Sequence, residues 1–223
     1  MAPLLLPLFP LPNVVHFPGT ALPLHVFEPR YRQLVADLLE RPEAERRIGM
    51  ILVARDEESG AAELLEPGCA GRLVAHEPLE DGRSNIVLMG EFRFALEREV
   101  PGEPYRRALV RPLADEVARI DWERAEQLER ELVRLTGAVA AASGAAWPID
   151  LAELAGLGRP GELLALVNQL AAGLDLPSLR KQALLAEPAL ERAEQVAGIL
   201  RSRLKLLSTL APFRQAAGDP GMN

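Results

Sequence analysis

The sequence predicts an α+β protein in which a β-rich N-terminal half is followed by a C-terminal α-helical bundle. In the first half, short apolar runs alternate with turn residues, as strands and their connections do. From Asp121 onward, apolar residues recur at three- and four-residue steps, which is the spacing of one helix face. We place the β-rich domain at 1–117, the bundle at 118–213 and a flexible tail at 214–223.

The strand predictions come from hydrophobic patterning. Three apolar runs predict strands that are buried on both faces. They span 48–54, 72–76 and 86–89. Asp81-Gly82 lies between the last two runs, and this dipeptide favours a tight hairpin turn. Apolar and polar residues alternate over 92–97, which predicts a strand with Arg93 on its solvent-facing side, and 105–113 should return beside that strand.

The helix predictions rest on end signals and apolar stripes. Pro29 suits a first helical position, because its missing N–H has no partner there, and the helix should end near Arg41-Pro42. A long helix follows in the second half, with a predicted apolar stripe. The stripe comprises Trp122, Ala125, Leu128, Leu132, Leu135 and Val139. The other helical patterns cover 163–174, 179–186 and 190–207.

The charge distribution opposes binding to polyanions. The formal net charge is −7, and residues 1–117 hold 13 Lys+Arg against 19 Asp+Glu, out of totals of 25 and 32 for the chain. Contacts with phosphate groups dominate the affinity of proteins for nucleic acids, so an acidic domain is poorly suited to binding them. Anionic membranes are disfavoured for the same reason. We therefore expect neither nucleic acid nor membrane as a partner.

The N-terminus and the single cysteine indicate a cytoplasmic protein. The apolar start of the chain lacks a basic segment and is interrupted by prolines, unlike a signal peptide. No apolar stretch reaches the roughly 20 residues of a membrane helix. Cys69 is the only cysteine, which excludes an intramolecular disulfide and favours a structural, buried thiol.

The sequence contains no recognisable catalytic motif. The only lysines, Lys181 and Lys205, follow no glycine-rich loop, so the chain has no P-loop. The histidines His16, His25 and His76 form no metal-binding pair, and no Gly-x-Ser-x-Gly sequence is present. We expect no catalytic residue, no cofactor and no metal, and hence no enzyme.

One long N-terminal segment carries a resemblance to a known family. It reads Leu6-Pro7-Leu8-Phe9-Pro10-Leu11-Pro12, then Val14-Val15-His16-Phe17-Pro18-Gly19, then Leu22-Pro23-Leu24-His25-Val26-Phe27-Glu28-Pro29-Arg30-Tyr31. This string resembles the opening of the Lon protease N-terminal (substrate-binding) domain family. Residues 81–90 and 179–186 match later landmarks of the family in order, although Ala186 stands where an acidic residue is common.

The resemblance covers nearly the whole chain and implies a PUA-like pseudo-β-barrel followed by a helical bundle. It also implies non-catalytic recognition of unfolded polypeptide or peptide segments, or of a protein partner, as an accessory to ATP-dependent proteolysis. The ATPase and peptidase parts of Lon are absent from the sequence, so we expect a free-standing family member. An ATP-dependent protease is then a candidate partner, and a homo-oligomer is a further possibility.

Aromatic and methionine side chains suit an apolar peptide groove, because they are large or adaptable. The residues that we expect to contact a peptide or partner are Phe27, Tyr31, Met50, Met89 and Phe92. Core packing is the competing interpretation for each of them, since burial is the usual role of large apolar residues.

Two other classes of function stay open. PUA-like folds include RNA binders, although the acidic balance of the first half opposes that function. An unrecognised hydrolase could be built from residues that meet only in space. The acidic run Asp56-Glu57-Glu58 has the composition of a solvated loop, so a hydrolase would need perturbed carboxylates around one of the histidines.

Overall fold

Two units, one built on a β-sheet and one made of helices, form the structure. It is a computed structural model and describes residues 3–55, 62–102, 104–114, 121–143 and 160–217. The sheet unit comprises Met1–Asp115 with Leu174–Glu187, and the helical unit comprises Glu116–Gly173 with Pro188–Asn223. The predicted boundary at 117/118 and the acidic run Asp56-Glu57-Glu58 lie outside the described residues.

Six strands form the sheet. They are β1 (Leu4–Leu11), β2 (Ala21–Val26), β3 (Arg47–Arg55), β4 (Ala62–Pro78), β5 (Ser84–Val100) and β6 (Arg107–Leu113). The strand order is β2-β5-β4-β3-β1-β6, and β5 also pairs with β6. This second pairing of the long strand β5 closes most of the sheet on itself, and β2 is left at an edge. Among the described strands, β1 and β3 pair in parallel and the other pairs are antiparallel.

The predicted hairpin joins β4 to β5. The N–H of Leu79 donates to the Arg83 carbonyl at 2.8 Å, and the N–H of Gly82 donates to the Leu79 carbonyl at 3.0 Å. Gly82 has a φ of 77°, a conformation that glycine adopts without a steric penalty. The turn prediction at Asp81-Gly82 is thereby confirmed.

Helix α1 (Pro29–Leu39) covers the core of the sheet unit. Tyr31, Leu34, Val35 and Leu38 are its buried residues, as the apolar stripe predicts. Tyr105 donates its hydroxyl to Asp37 Oδ2 at 2.7 Å and so ties the helix to the start of β6. Burial, together with this hydrogen bond, raises the pKa of Tyr105 to about 12, which keeps the donor protonated.

The helical unit contains α2 (Trp122–Ser143), α3 (Pro160–Gly173) and α5 (Ala189–Ala217). The predicted stripe of α2 is buried except at Trp122, which is 48% exposed at the first turn of the helix. Helix α5 continues to Ala217, so residues 214–217 of the predicted tail are helical, and 218–223 lie outside the described residues. Asn168 of α3 accepts a hydrogen bond from the buried Arg192 of α5.

Helix α4 (Ser178–Ala186) belongs to the sheet unit, although the sequence assigned it to the bundle. Gln182 anchors it to β4, because its Nε2 donates to the carbonyls of Leu65 at 3.1 Å and Pro67 at 2.9 Å. An amphipathic stripe requires an apolar partner but does not specify which one, so the stripe alone could not show that α4 packs on the sheet.

Arg93 holds the other end of α4. Its Nη1 donates to the carbonyls of Leu185 at 2.8 Å and Glu187 at 3.0 Å, and the side chain is 6% exposed. The prediction that Arg93 faces solvent is wrong, because the end of α4 covers the sheet at this position. The α+β prediction, with a closed β-rich unit before a helical bundle, is confirmed.

Candidate functional site

The structure does not bring the five predicted contact residues together on one exposed surface. Tyr31 stacks on Phe9 with ring centroids 3.8 Å apart, and Tyr31 and Met50 share one core cluster at 4% and 2% exposure. Phe92 is half-buried against a second core cluster around Phe94. Phe27 is 59% exposed, and Met89 is half-buried. Tyr31 and Met50 therefore pack in the core. An exposed binding surface would have to lie near the other three residues.

Apolar side chains form two rows across the outward face of β2, β5 and β4. In one row, Pro23 lies opposite Val87, and Val87 lies opposite Ala75. In the next row, Ala21 lies opposite Met89. Residues that pair directly across strands project from the same face of a sheet, about 5 Å apart. The two rows therefore form one continuous surface.

These rows point away from the core. Their neighbours Leu73 and Leu88 are 4% and 0% exposed, and Leu22 packs against the same core cluster. Because successive side chains in a strand alternate between faces, the residues of the rows lie on the opposite side. We call this surface the outer strip. It comprises Ala21, Pro23, Val74, Ala75, Val87 and Met89.

Two β-bulges shape the strip and its border. The β4–β5 register passes from Leu73 to Ala75, so Val74 is an extra residue in β4, and it is 42% exposed. The register also passes from Gly90 to Phe92, which leaves Glu91 as an extra residue in β5. A bulge redirects side chains and disrupts regular pairing. Here the bulges add one apolar and one acidic side chain to the outward face.

A polar network borders one end of the strip. His25 Nδ1 lies 2.9 Å from Asn85 Oδ1, and Asn85 Nδ2 donates to Glu77 Oε2 at 2.9 Å. Since the amide oxygen is an acceptor, His25 Nδ1 carries the proton. The exposed ring of Phe27 lies beside this network, with its centroid 6.1 Å from that of His25. Phe27 therefore extends the apolar surface beyond a hydrogen-bonded margin.

Two arginines and a glutamate border the other end. Arg72 lies opposite Met89, and Arg47 lies opposite Arg72. Glu91 accepts from Arg47 Nε at 2.5 Å and from Arg72 Nε at 2.9 Å. An open depression of about 410 Å³ lies against this group and is also lined by Glu43 and Ala44. The outer strip thus ends in a charged pocket.

The sequence revealed only part of this surface. The runs 72–76 and 86–89 were predicted to be buried on both faces, but Val74, Val87 and Met89 face outward. Strict alternation of Ile86, Val87, Leu88 and Met89 is invisible when every residue is apolar. The pairing of Arg47 with Arg72 carries no sequence signal, since it depends on the strand register.

The remaining polar residues of interest do not assemble a reactive centre. Within the described part of the chain, no group of three or more His, Cys, Asp or Glu side chains is placed to hold a metal ion. His16 is buried, its Nε2 lies 2.9 Å from the Thr20 carbonyl, and burial lowers its pKa below 6.5. Cys69 is buried, as expected. Among the described helices, none combines the length and apolar composition that a membrane crossing requires.

The chain thus combines a closed β unit, which carries an outward apolar surface, with a unit made of helices. Its family is established by comparison of sequences. The chain belongs to the ATP-dependent protease La (LON) substrate-binding domain family, whose sequence model matches residues 5–202. The resemblance seen in the N-terminal string is thereby confirmed.

Relatives and solved structures agree with this family. Lon protease 2 of Myxococcus xanthus is 30% identical over 214 residues, which cover 92% of this chain and 24% of that protein. Lon protease of Anaeromyxobacter dehalogenans is 31% identical over 216 residues, which cover 93% of this chain and 23% of that protein. The chain therefore spans about a quarter of the length of these relatives.

Two solved structures of Lon N-terminal domains share the fold. A Lon N-terminal domain protein from Xanthomonas campestris has a TM-score of 0.58 at 24% identity, covering 87% of this chain and 98% of that one. The N-terminal domain of Mycobacterium avium complex Lon protease has a TM-score of 0.65 at 17% identity, covering 90% and 98%. At these identities the likeness establishes the architecture.

Proposed function

We propose that the chain binds extended, apolar segments of unfolded polypeptides on the outer strip and does not cleave them. The observation that carries this proposal is the pair of outward apolar rows across β2, β5 and β4, with the exposed Phe27 beyond them. Contiguous apolar surface that the chain's own core leaves uncovered is typical of interaction sites.

The spacing of the rows suits an extended ligand. Val87 and Met89 are two positions apart on one strand, which corresponds to about 7 Å between side chains on the same face. An extended peptide presents its own alternate side chains at the same interval. Met89 adds an adaptable contact, because an unbranched thioether packs against many shapes. The surface can therefore accept apolar segments of varied sequence.

Membership in the substrate-binding domain family supports a recognition role. We infer that the bound segments belong to proteins destined for an ATP-dependent protease, and that the chain acts in the cytoplasm beside such an enzyme. The relatives are Lon proteases, of which the matched part is about a quarter. Self-association through the outer strip is a competing use of the same surface.

A binding assay with matched variants tests the proposal. A fluorescent peptide with alternating apolar residues should bind, and Met89→Gln should weaken its binding about fivefold, which corresponds to about 1 kcal/mol for burying a half-exposed methionine. Leu179→Gln is the control, since Leu179 is 63% exposed on α4 and lies outside the outer strip. Equal losses in both variants, or no binding by the unaltered protein, would contradict the proposal.

The absence of cleavage is tested separately. The purified chain should neither hydrolyse ATP nor degrade casein, because the sequence holds no phosphate-binding loop and no recognisable nucleophile motif. Either activity, if it persists through successive purification steps and is abolished by a substitution in this chain, would replace the binding role with an enzymatic one. Sedimentation of the free protein across concentrations would reveal self-association through the strip, which Met89→Gln should then weaken.

A further inference from the structure

The charged pocket beside the outer strip has the construction of a carboxylate site. Arg47 and Arg72 face each other directly across β3 and β4. Like charges at directly opposed positions destabilise a sheet, so this pairing needs compensation. Glu91 supplies it by accepting one hydrogen bond from each arginine. The three side chains together still carry one positive charge.

The arginines are held in place but keep donors available. Both bind Glu91 through Nε, and Arg47 also donates from Nη1 to the Ala44 carbonyl at 2.5 Å. Within the described contacts, the two Nη groups of Arg72 and Nη2 of Arg47 have no protein acceptor. The side chains of Arg47 and Arg72 are only 28% and 34% exposed. A guanidinium fixed through one edge can offer its other edge to a planar anion.

The open depression provides room for such an anion. Its volume of about 410 Å³ exceeds ten times the roughly 30 Å³ that one water molecule occupies in the liquid. It is lined by both arginines and Glu91, with Ala44 and Glu43 from a 3₁₀ turn at Glu43–Glu45. Glu43 is exposed, so its repulsion of an anion is weakened by solvent.

The pocket continues the outer strip. Arg72 lies directly opposite Met89, so about 5 Å separates a central residue of the strip from the first arginine. A segment whose apolar side chains lie on Val87 and Met89 would bring its next residue or two to the pocket. The apolar and cationic surfaces can therefore be occupied by one chain.

We propose that this pocket binds a carboxylate of the bound polypeptide, so that the chain prefers apolar segments followed by an acidic side chain or by the free C-terminus. The inference rests on the proposed function and names the kind of segment that the outer strip selects. Carboxylate is favoured because Arg72 presents a planar pair of donors, which matches its two oxygens.

Three peptides with one apolar sequence test this inference by fluorescence anisotropy. One ends in a neutral amide, one adds a glutamate before the amide, and one ends in a free carboxylate. At low salt, at least one carboxylate peptide should bind on the order of tenfold more tightly than the neutral peptide, as expected for a charge-assisted, partly exposed pair. The comparison of the two carboxylate peptides shows which source the pocket prefers.

Matched variants assign the effect to the pocket. Arg72→Gln should abolish the advantage of the carboxylate peptides and leave the affinity for the neutral peptide unchanged. Arg83→Gln is the control, since Arg83 is an exposed arginine that pairs with Asp81 away from the pocket. Glu43→Gln should strengthen carboxylate binding, because it removes a negative charge from the rim. This exposed substitution keeps the test valid if Arg72→Gln fails to fold.

The outcomes separate the inference from the proposed function. Equal binding of all three peptides, with a loss in Met89→Gln, would overturn the carboxylate site and leave the apolar function standing. Carboxylate selectivity that is lost equally in Arg83→Gln would also overturn the site. If no peptide binds, both proposals fail together. Selective binding that requires Arg72 but is insensitive to Met89→Gln would keep the pocket and overturn the role of the outer strip.

Discussion

Replacing Arg93 by methionine should loosen helix α4 from the sheet. Arg93 Nη1 donates to the carbonyls of Leu185, Ala186 and Glu187 at 2.8, 3.3 and 3.0 Å. These carbonyls lie at the C-terminal end of α4, where a helix lacks internal donors and carries partial negative charge. Methionine keeps much of the aliphatic stem, so the substitution mainly removes the charge and its hydrogen bonds.

The magnitude follows from the geometry. A single nitrogen carries two hydrogens, so the three contacts amount to about two charge-assisted hydrogen bonds, each worth about 1.5 to 3 kcal/mol. Two effects reduce this gross value. The substitution removes the desolvation free energy of a buried guanidinium. Water can also hydrate Ala186, which is already exposed, once α4 loosens. We expect Arg93→Met to lower the free energy of unfolding by about 2 to 4 kcal/mol.

Hydrogen exchange combined with urea denaturation measures both the size and the place of the effect. In Arg93→Met, the amides of 178–186 should exchange faster, whereas those of α2 in the helical unit should be unchanged. Arg98→Met is the control, since Arg98 is an exposed residue of the same strand and should cost less than about 0.5 kcal/mol. Unchanged protection of α4, or a loss no larger than in the control, would refute the assigned role of Arg93.

Three further predictions concern pH, packing and nucleic acid. Because burial lowers the pKa of His16, the unfolded chain binds more protons below pH 6.5, so this stabilising contribution is complete above pH 6.5 and is lost as the pH falls towards the folded-state pKa. His16→Gln should remove that part of the dependence of the melting temperature on pH, and His25→Gln, at an exposed site, should retain it. Leu132→Ala should lower the free energy of unfolding by about 2 to 5 kcal/mol, because Leu132 is 0% exposed, and a change below about 0.5 kcal/mol in thermal unfolding would contradict its burial. RNA should bind no more tightly than about micromolar at physiological salt, and a tight, salt-sensitive complex in a filter-binding assay would favour the RNA alternative.

Local patterns in the sequence predicted most of the helices and strands. The Asp-Gly turn, the proline start of α1 and the stripe of α2 each depend on residues close together in the chain, so the sequence alone places them. The sequence did not predict β1 and β2 as strands, because prolines interrupt their apolar runs. Pro23 lies in the edge strand β2, where its missing N–H breaks no essential pairing.

Features that depend on distant partners could not be placed in this way. Arg93 and Leu185 are 92 positions apart, and an alternating pattern marks Arg93 as polar without showing that a helix end covers it. The core positions of Tyr31 and Met50 illustrate the same limit. An aromatic or methionine residue has the same sequence signature in a core as in a groove, and only packing distinguishes the two.

The covering of the outward sheet face supports the proposal that the outer strip binds a ligand. Met89, Glu91 and Arg93 occupy alternate positions of β5, and at Arg93 this face is closed by the end of α4. Further along the same face, Val74 and Ala75 are exposed, and Val87 and Met89 are half-buried. Val74 is an extra residue in a bulge of β4, so the bulge adds one apolar side chain that a regular strand would not place there. A fold that covers one stretch of this face and leaves its apolar neighbour open is therefore suited to binding a segment from another chain.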